Sequence, residues 1–324
     1  MSSYLRKVPP GGTFRVLRFD VLTLGTGAAL PARGRHPTAQ LLNVGDELYL
    51  IDCGEGTQER MRQASVNFNR IRRIFISHLH GDHYLGLMGL LSSMHLQGRT
   101  RELFLHGPPE LHEVVQLQLR VSGTYLRFPL RFEAVQHRSG DLLWRDDRVT
   151  AHALVLRHRI ACHGLVVREL EQPRPLRKDK LAVVPVYRRS AVKAGADLVL
   201  EDGTVVPNAE LTLAPPPPRS YAYCSDTAHA PELVPFLQGV DLLYHEATFT
   251  EQLRARARET LHSTARQAAT IAREAGVGTL LLGHFSSRYK SADILLREAL
   301  EVFPRTLLSA EGATFPVGER RLPS

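Results

Sequence analysis

Three observations predict that this 324-residue chain is an α/β protein built from mixed sheets in layers. Short β-rich apolar runs recur from end to end, helical runs with apolar residues at i, i+3 and i+4 lie between them, and strands outnumber helices without a strict βαβ alternation. A doubly wound parallel sheet would need that alternation, so mixed sheets fit better.

The strand-like runs come in this order. "VLTLGTG" (21–27), "ELYLIDCG" (47–54), "RIFISH" (73–78) and "LFLHG" (103–107) are followed by "FPLRFEAV" (128–135), "VTAHALVLRH" (149–158) and "GLVVRE" (164–169). "YAYCSDT" (221–227), "DLLYHEAT" (241–248), "TLLLGHF" (279–285) and "TLLSAEGATF" (306–315) close the series. Helical spacing marks 57–65, 84–96, 110–121, 263–275 and 291–303.

One stretch departs from this pattern. Residues 171–219 concentrate proline, including a run ending at Pro218, and carry Arg174, Arg177, Lys178, Lys180, Arg188, Arg189 and Lys193. Only Glu171 and Asp179 oppose them as far as residue 194. By composition alone such a run reads as a solvated loop.

Composition narrows the function classes. Forty-one basic against 33 acidic residues give a formal charge of +8, which favours an acidic partner such as nucleic acid. No run approaches the ~20 apolar residues of a membrane span, and the opening "MSSYLRKVPPGGTFRV" has no apolar leader core. Cys53, Cys162 and Cys224 are far apart and form no CxxC pair, so a thiolate zinc knuckle is excluded and a disulfide framework is not expected. Buried thiols of a cytoplasmic protein are the expectation.

The densest chemistry lies in "SHLHGDHYLGL" (77–87). An apolar strand runs into His78, and extended chain points His78 and His80 the same way, so both can reach one ion. Gly81 permits a turn into a helix, which places Asp82 and His83 at its start, facing a second ion. This alternation differs from the helical HExxH pattern. Further ligands are expected at other strand ends: His158 after "ALVLR", Asp226 after "YAYCS" and His284 after "TLLLG". His163 competes with His158, but it precedes Gly164 at the start of the next strand. The set of five His and two Asp, with Asp226 able to bridge, suits Zn²⁺ with Mn²⁺ as a substitute. Two such ions ~3.5–4 Å apart activate a water and stabilise both oxygens of an in-line displacement.

These residues resemble the metallo-β-lactamase superfamily and, within it, the ribonuclease Z family of tRNA 3′-processing endonucleases. "HLHGDH" carries the superfamily likeness. "LGTGAALP" (24–31), "DCGEGTQ" (52–58), "LHGP" (105–108), "LRHRIACHG" (156–164), "CSDT" (224–227), "YHEATF" (244–249), "HSTARQAA" (262–269) and "GHFSSRY" (283–289) match the narrower family in order.

The resemblance implies an αββα sandwich formed by one domain over 1–324, with two zinc ions at one edge between the sheets. It assigns His78, His80 and His158 to one ion, Asp82, His83 and His284 to the other, and Asp226 to both. It also favours His158 over His163. Asp82 would orient the nucleophile, and a Glu246–His262 pair would protonate the departing ribose 3′-oxygen. Cleavage of precursor tRNA would leave a 3′-hydroxyl on the tRNA and a 5′-phosphate on the trailer.

Residues 171–218 would be an inserted arm that grips tRNA phosphates through Arg177, Lys178, Lys180, Arg188 and Arg189. Many members carry a Gly-Pro turn there, whereas this chain has Pro185-Val186-Tyr187 without that glycine. Ser287 and Arg288 would hold a substrate phosphate, and a homodimer is expected. Two rival readings are a dinuclear phosphodiesterase of small molecules and an RNA-binding protein with a vestigial metal site.

Overall fold

Apolar runs pair into two seven-stranded sheets in a computed structural model that describes residues 18–318, so the opening segment read for a leader lies outside the described residues. The first half of the chain supplies β1 (Phe19–Gly25), β2 (Ala39–Val44), β3 (Glu47–Ile51), β4 (Ile71–Phe75), β5 (Leu103–Gly107) and β6 (Leu130–Ala134). Then follow β7 (Leu142–Arg145), β8 (Val149–Leu156) and β9 (Cys162–Glu169), and a small hairpin of β10 (Leu198–Val199) and β11 (Val205–Val206). The chain ends with β12 (Ser220–Cys224), β13 (Leu242–Glu246), β14 (Thr279–Gly283), β15 (Thr306–Leu308) and β16 (Thr314–Pro316).

One sheet has the order β16-β1-β2-β3-β4-β5-β6 and the other β15-β14-β13-β12-β9-β8-β7. Both are mixed: β3 to β6 pair in parallel, as do β12 to β15, and the remaining neighbours pair antiparallel.

The helices are α1 (Thr57–Gln63), α2 (Gly81–Tyr84), α3 (Leu87–Leu96), α4 (Pro109–Val121), α5 (Arg189–Lys193), α6 (Asn208–Leu211), α7 (Val234–Leu237), α8 (Arg254–Thr260), α9 (Ala265–Glu274) and α10 (Asp293–Leu300). Three apolar clusters fill the spaces between four layers. Leu50, Ile74, Leu90, Leu91 and Leu111 join the first sheet to α3 and α4, while Leu243, Leu282, Ala268, Ile271 and Leu295 join the second to α9 and α10. Between the sheets lie Val21, Leu42, Phe75, Leu165, Tyr223, Tyr244 and Leu281. This is the αββα sandwich expected above.

Several element readings change. The run 306–315 is two strands: β15 pairs with β14, Gly312 turns the chain at φ +79°, and β16 crosses to β1 of the other sheet. The run 84–96 breaks at Gly86, where a Cβ would stand 2.2 Å from the Gly54 carbonyl. β2 and α8 gave no periodic signal. Every residue of β2 is buried, polar Gln40 and Asn43 included, and α8 buries only Ala257.

Residues 174–213 form a small folded unit rather than a plain loop. Leu176, Val184, Val192, Leu198 and Leu211 pack together, and the Asn208 amide donates to Val192 O at 2.7 Å and Ala196 O at 2.8 Å. The Pro185-Val186-Tyr187 segment starts a short 3-10 turn at Val186–Arg188. The positive charge is confined to its first half. Across 171–218 seven basic residues meet six acidic ones, because Asp197, Glu201, Asp202 and Glu210 follow without a further Lys or Arg.

Candidate metal centre

Each candidate ligand follows a strand or lies on the short helix α2 at one edge of the sandwich. His78 and His80 lie past β4, with Asp82 and His83 on α2; His158 follows β8, Asp226 follows β12 and His284 follows β14. Both sheets therefore contribute, and their strand ends meet.

The side chains converge in two sets. His78 Nε2 and His158 Nε2 lie 3.0 and 3.1 Å from His80 Nδ1, and they are 3.6 and 3.7 Å from Asp226 Oδ2. In the second set, His83 Nε2 and His284 Nε2 each lie 3.4 Å from Asp82 Oδ2. They stand 3.4 and 3.1 Å from Asp226 Oδ1. One oxygen of Asp226 thus faces each set.

Hydrogen bonds on the far side of four of the five rings fix which nitrogen points inward. His158 Nδ1 donates to Leu261 O at 3.1 Å, and His83 Nδ1 donates to Asp52 Oδ2 at 2.7 Å. The Ser77 hydroxyl donates to Asp52, so it accepts from His78 Nδ1 at 3.0 Å. The Thr248 hydroxyl donates to Glu246 Oε2 at 2.6 Å and accepts from His284 Nδ1 at 2.9 Å. Such partners orient the ligands of a metal site and set their tautomers.

The donors fit a divalent cation. His78 Nε2 and His158 Nε2 both carry lone pairs aimed at His80 Nδ1, which has at most one proton to share between them. His83 Nε2 is buried and without a hydrogen-bond partner. Burial pushes the His78 pKa well down, keeping its lone pair free. Burial also acts to lower that of His83, but Asp226, Asp52 and Asp82 override it and hold the pKa well above the usual value. Asp82 and Asp226, which face His83 Nε2, favour a cation there as they favour a proton; uncompensated, each buried charge would cost roughly several kcal/mol. Nitrogen and carboxylate donors in this mixture suit Zn²⁺ or Mn²⁺.

Glycine lets the loops close over the site. A Cβ on Gly54 would stand 2.5 Å from the Asp82 carbonyl and 2.6 Å from Pro37 Cβ. Through that contact "DCGEGTQ" packs beneath α2, with Cys53 N donating to His83 O at 2.7 Å. "LGTGAALP" contributes Ala29, whose N–H donates to Asp82 Oδ2 at 2.7 Å from a left-handed backbone at φ +67°.

A cavity of about 450 Å³ opens on the ligands and is also lined by Thr248, His262, Ser287 and Arg288. His262 donates from Nδ1 to Glu246 Oε1 at 2.8 Å, and Glu246 is further held by the N–H groups of Thr227 and Thr248. Burial acts to lower the His262 pKa, but the Glu246 carboxylate holds it up at about 9. Arg288 lies over the Phe249 ring at 4.7 Å and donates to Ser286 Oγ at 2.9 Å, with no carboxylate partner among the described residues.

Arg177, Lys178, Lys180, Arg188 and Arg189 lie outside this cavity, in the folded unit. Arg189 is engaged there, donating to Leu181 O at 3.0 Å and Val184 O at 3.2 Å. His163 turns away from the centre, its Nε2 3.2 Å from His137 O.

Sequence reasoning missed Asp52, Thr248, Arg159 and Arg256. The two arginines line the cavity. Arg159 carried the signal of standing next to a ligand; Arg256, on a mostly polar helix, carried none.

Comparison with known proteins adds to the geometry. Residues 19–124 match the family model of the anti-Pycsar protein Apyc1. The chain is 46% identical over 296 residues to a ribonuclease Z of Bacteroides fragilis, covering 91% of this chain and 97% of that one. It is 44% identical over 301 residues to a ribonuclease Z of Parabacteroides distasonis, covering 92% and 99%. Among solved structures, human tRNase Z, short form, superimposes with a TM-score of 0.68 at 27% identity, covering 93% of this chain and all of that one. The metallo-β-lactamase fold protein YhfI of Bacillus subtilis shares the fold, with a TM-score of 0.67 at 20% identity over 92% of this chain and 99% of that one.

Proposed function

The chain belongs to the ribonuclease Z family, and from that premise we propose how its site removes the 3′ trailer from precursor tRNA. It is a tRNA 3′ endonuclease. The observation that carries the reading is the division of Asp226, one oxygen toward each histidine set.

His78, His80, His158 and Asp226 would hold one Zn²⁺, and Asp82, His83, His284 and Asp226 a second, with Mn²⁺ able to substitute. When bound, the pair supplies Lewis acidity toward a water and toward the phosphate oxygens. Asp82, fixed by the Ala29 N–H, orients the attacking water. His262, held by buried Glu246, keeps Nε2 as its free nitrogen and delivers a proton to the ribose 3′-oxygen as the P–O3′ bond breaks. The products are a tRNA ending in a 3′-hydroxyl and a trailer beginning with a 5′-phosphate. Ser287 and Arg288, on the cavity wall, position the scissile phosphate.

Residues 171–218 act as a tRNA-binding arm inserted into one domain that spans the chain. Its first half, with Arg177, Lys178, Lys180 and Arg188, neutralises RNA phosphates. Arg189 serves mainly to hold the arm's own backbone. The working form is a homodimer, as expected for the family. The three buried, unpaired cysteines accord with a cytoplasmic setting, and among the described residues no helix is long and apolar enough to cross a membrane.

The test is product-end mapping on labelled precursor tRNA with and without a chelator. A single cut at the trailer junction, a 3′-hydroxyl on the tRNA and loss of cleavage with chelator are expected. A 2′,3′-cyclic phosphate end, or chelator-resistant cleavage, would overturn the reading.

A further inference from the structure

The seven ligands come from two sheets, so something must hold those sheets in register at the site. We propose that Tyr223 does this: it is a positioning residue that ties Asp226 on one sheet to the buried carboxylate orienting His83 and His78 on the other. The proposal rests on the reading that these residues hold divalent cations.

Tyr223 stands on β12, three residues before Asp226, and is fully buried. Its hydroxyl crosses the sandwich and donates to Asp52 Oδ2 at 2.6 Å. Asp52 sits just past β3 in a left-handed backbone at φ +57° and is itself wholly buried. The same Oδ2 accepts from His83 Nδ1 at 2.7 Å and from the Ser77 hydroxyl at 2.9 Å, and Oδ1 accepts from Ser77 N at 2.7 Å. Ser77 in turn orients His78. On its own sheet the Tyr223 hydroxyl lies 3.4 Å from Ser225 Oγ, which lies 3.4 Å from Asp226 Oδ1.

One phenol therefore touches the carboxylate that orients ligands of both sets and the segment that carries the bridging aspartate. Its place is held firmly. The ring stacks on Tyr244 with centroids 5.0 Å apart at 15°. A Cβ on Gly164 of the adjacent strand would stand 2.2 Å from the Tyr223 carbonyl, so only glycine lets β9 approach this closely.

Removing the hydroxyl leaves Asp52 with its three other donors, so the loss falls on orientation rather than on a stranded charge. Partners bonded directly to a metal ligand change the metal's affinity about 10–100-fold; Tyr223 acts one bond further out, through Asp52, which places its effect at the lower end of that range. Tyr221 provides the control: it is equally buried, and its hydroxyl also crosses the sheets, but to Gln40, away from the ligands.

The experiment compares wild type, Tyr223→Phe and Tyr221→Phe by competition for Zn²⁺ against a chromophoric chelator, with melting curves of the metal-stripped proteins. Tyr223→Phe is expected to weaken Zn²⁺ binding about 10-fold, while Tyr221→Phe binds as wild type does. Unchanged affinity in Tyr223→Phe overturns the proposal, whether or not the stripped protein melts earlier. An equal loss in Tyr221→Phe also overturns it, because the effect would then be one of general sheet packing. Wild type that binds no Zn²⁺ would instead overturn the metal reading itself, and the proposal with it.

Discussion

His262 Nδ1 lies 2.8 Å from Glu246 Oε1, and that carboxylate is completely buried behind it. An imidazole held this way has one free nitrogen and one fixed orientation, the requirement for a proton donor to a leaving oxygen. His262→Ala is therefore expected to slow trailer removal about 10²–10⁴-fold with metal content unchanged. An aryl phosphodiester whose phenolate departs without a proton should be cleaved nearly as fast by the variant as by wild type. Equal losses on both substrates would remove His262 from the role of proton donor.

Asp226 and His158 should differ in what their removal does to the metals. Asp226→Ala takes an oxygen from both sets, so both ions are weakened and cleavage is abolished. His158→Ala strips one donor from the first set alone, and about one equivalent should remain. Metal content after dialysis distinguishes them; full occupancy in Asp226→Ala would contradict the bridging assignment.

Thr248 links the two functions of the site. Its hydroxyl donates to Glu246 and accepts from His284, so Thr248→Val disturbs the proposed proton-donor pair and a candidate metal ligand together. A fall of about 10–100-fold in kcat is expected, with recovery in Thr248→Ser, which restores the hydroxyl. Failure of Ser to rescue would point to lost packing around the methyl group instead.

The arm divides into residues that face solvent and one that holds the arm together. Replacing Arg177, Lys178, Lys180 and Arg188 with Ala should raise KM for precursor tRNA and flatten its salt dependence, by up to about 0.7–0.9 in the log–log slope per lost phosphate contact. Cleavage of a small phosphodiester should be unaffected. Arg189→Ala should act differently, increasing proteolytic nicking within 171–218, because its guanidinium bonds Leu181 O and Val184 O.

The clustered candidate ligands were legible because they crowd into one motif or follow strongly apolar strands, and both signals are local. Asp52, Thr248 and Tyr223 were not legible as working residues. Each acts through a partner distant in sequence, and a buried Asp, Thr or Tyr gives no periodic signal. The layered fold could be read from its recurring short apolar runs. The three-residue β16 could not, because its place in the first sheet is decided by pairing with β1. The arm is basic only as far as Lys193, where its Lys and Arg end; the acidic half begins at Asp197.

The most direct test of the two-ion centre is a titration of metal-stripped protein with Zn²⁺, following trailer cleavage of precursor tRNA. Activity should rise to a plateau at about two equivalents per chain, with Asp226→Ala inactive throughout. A plateau at one equivalent, or cleavage by the stripped protein, would contradict it.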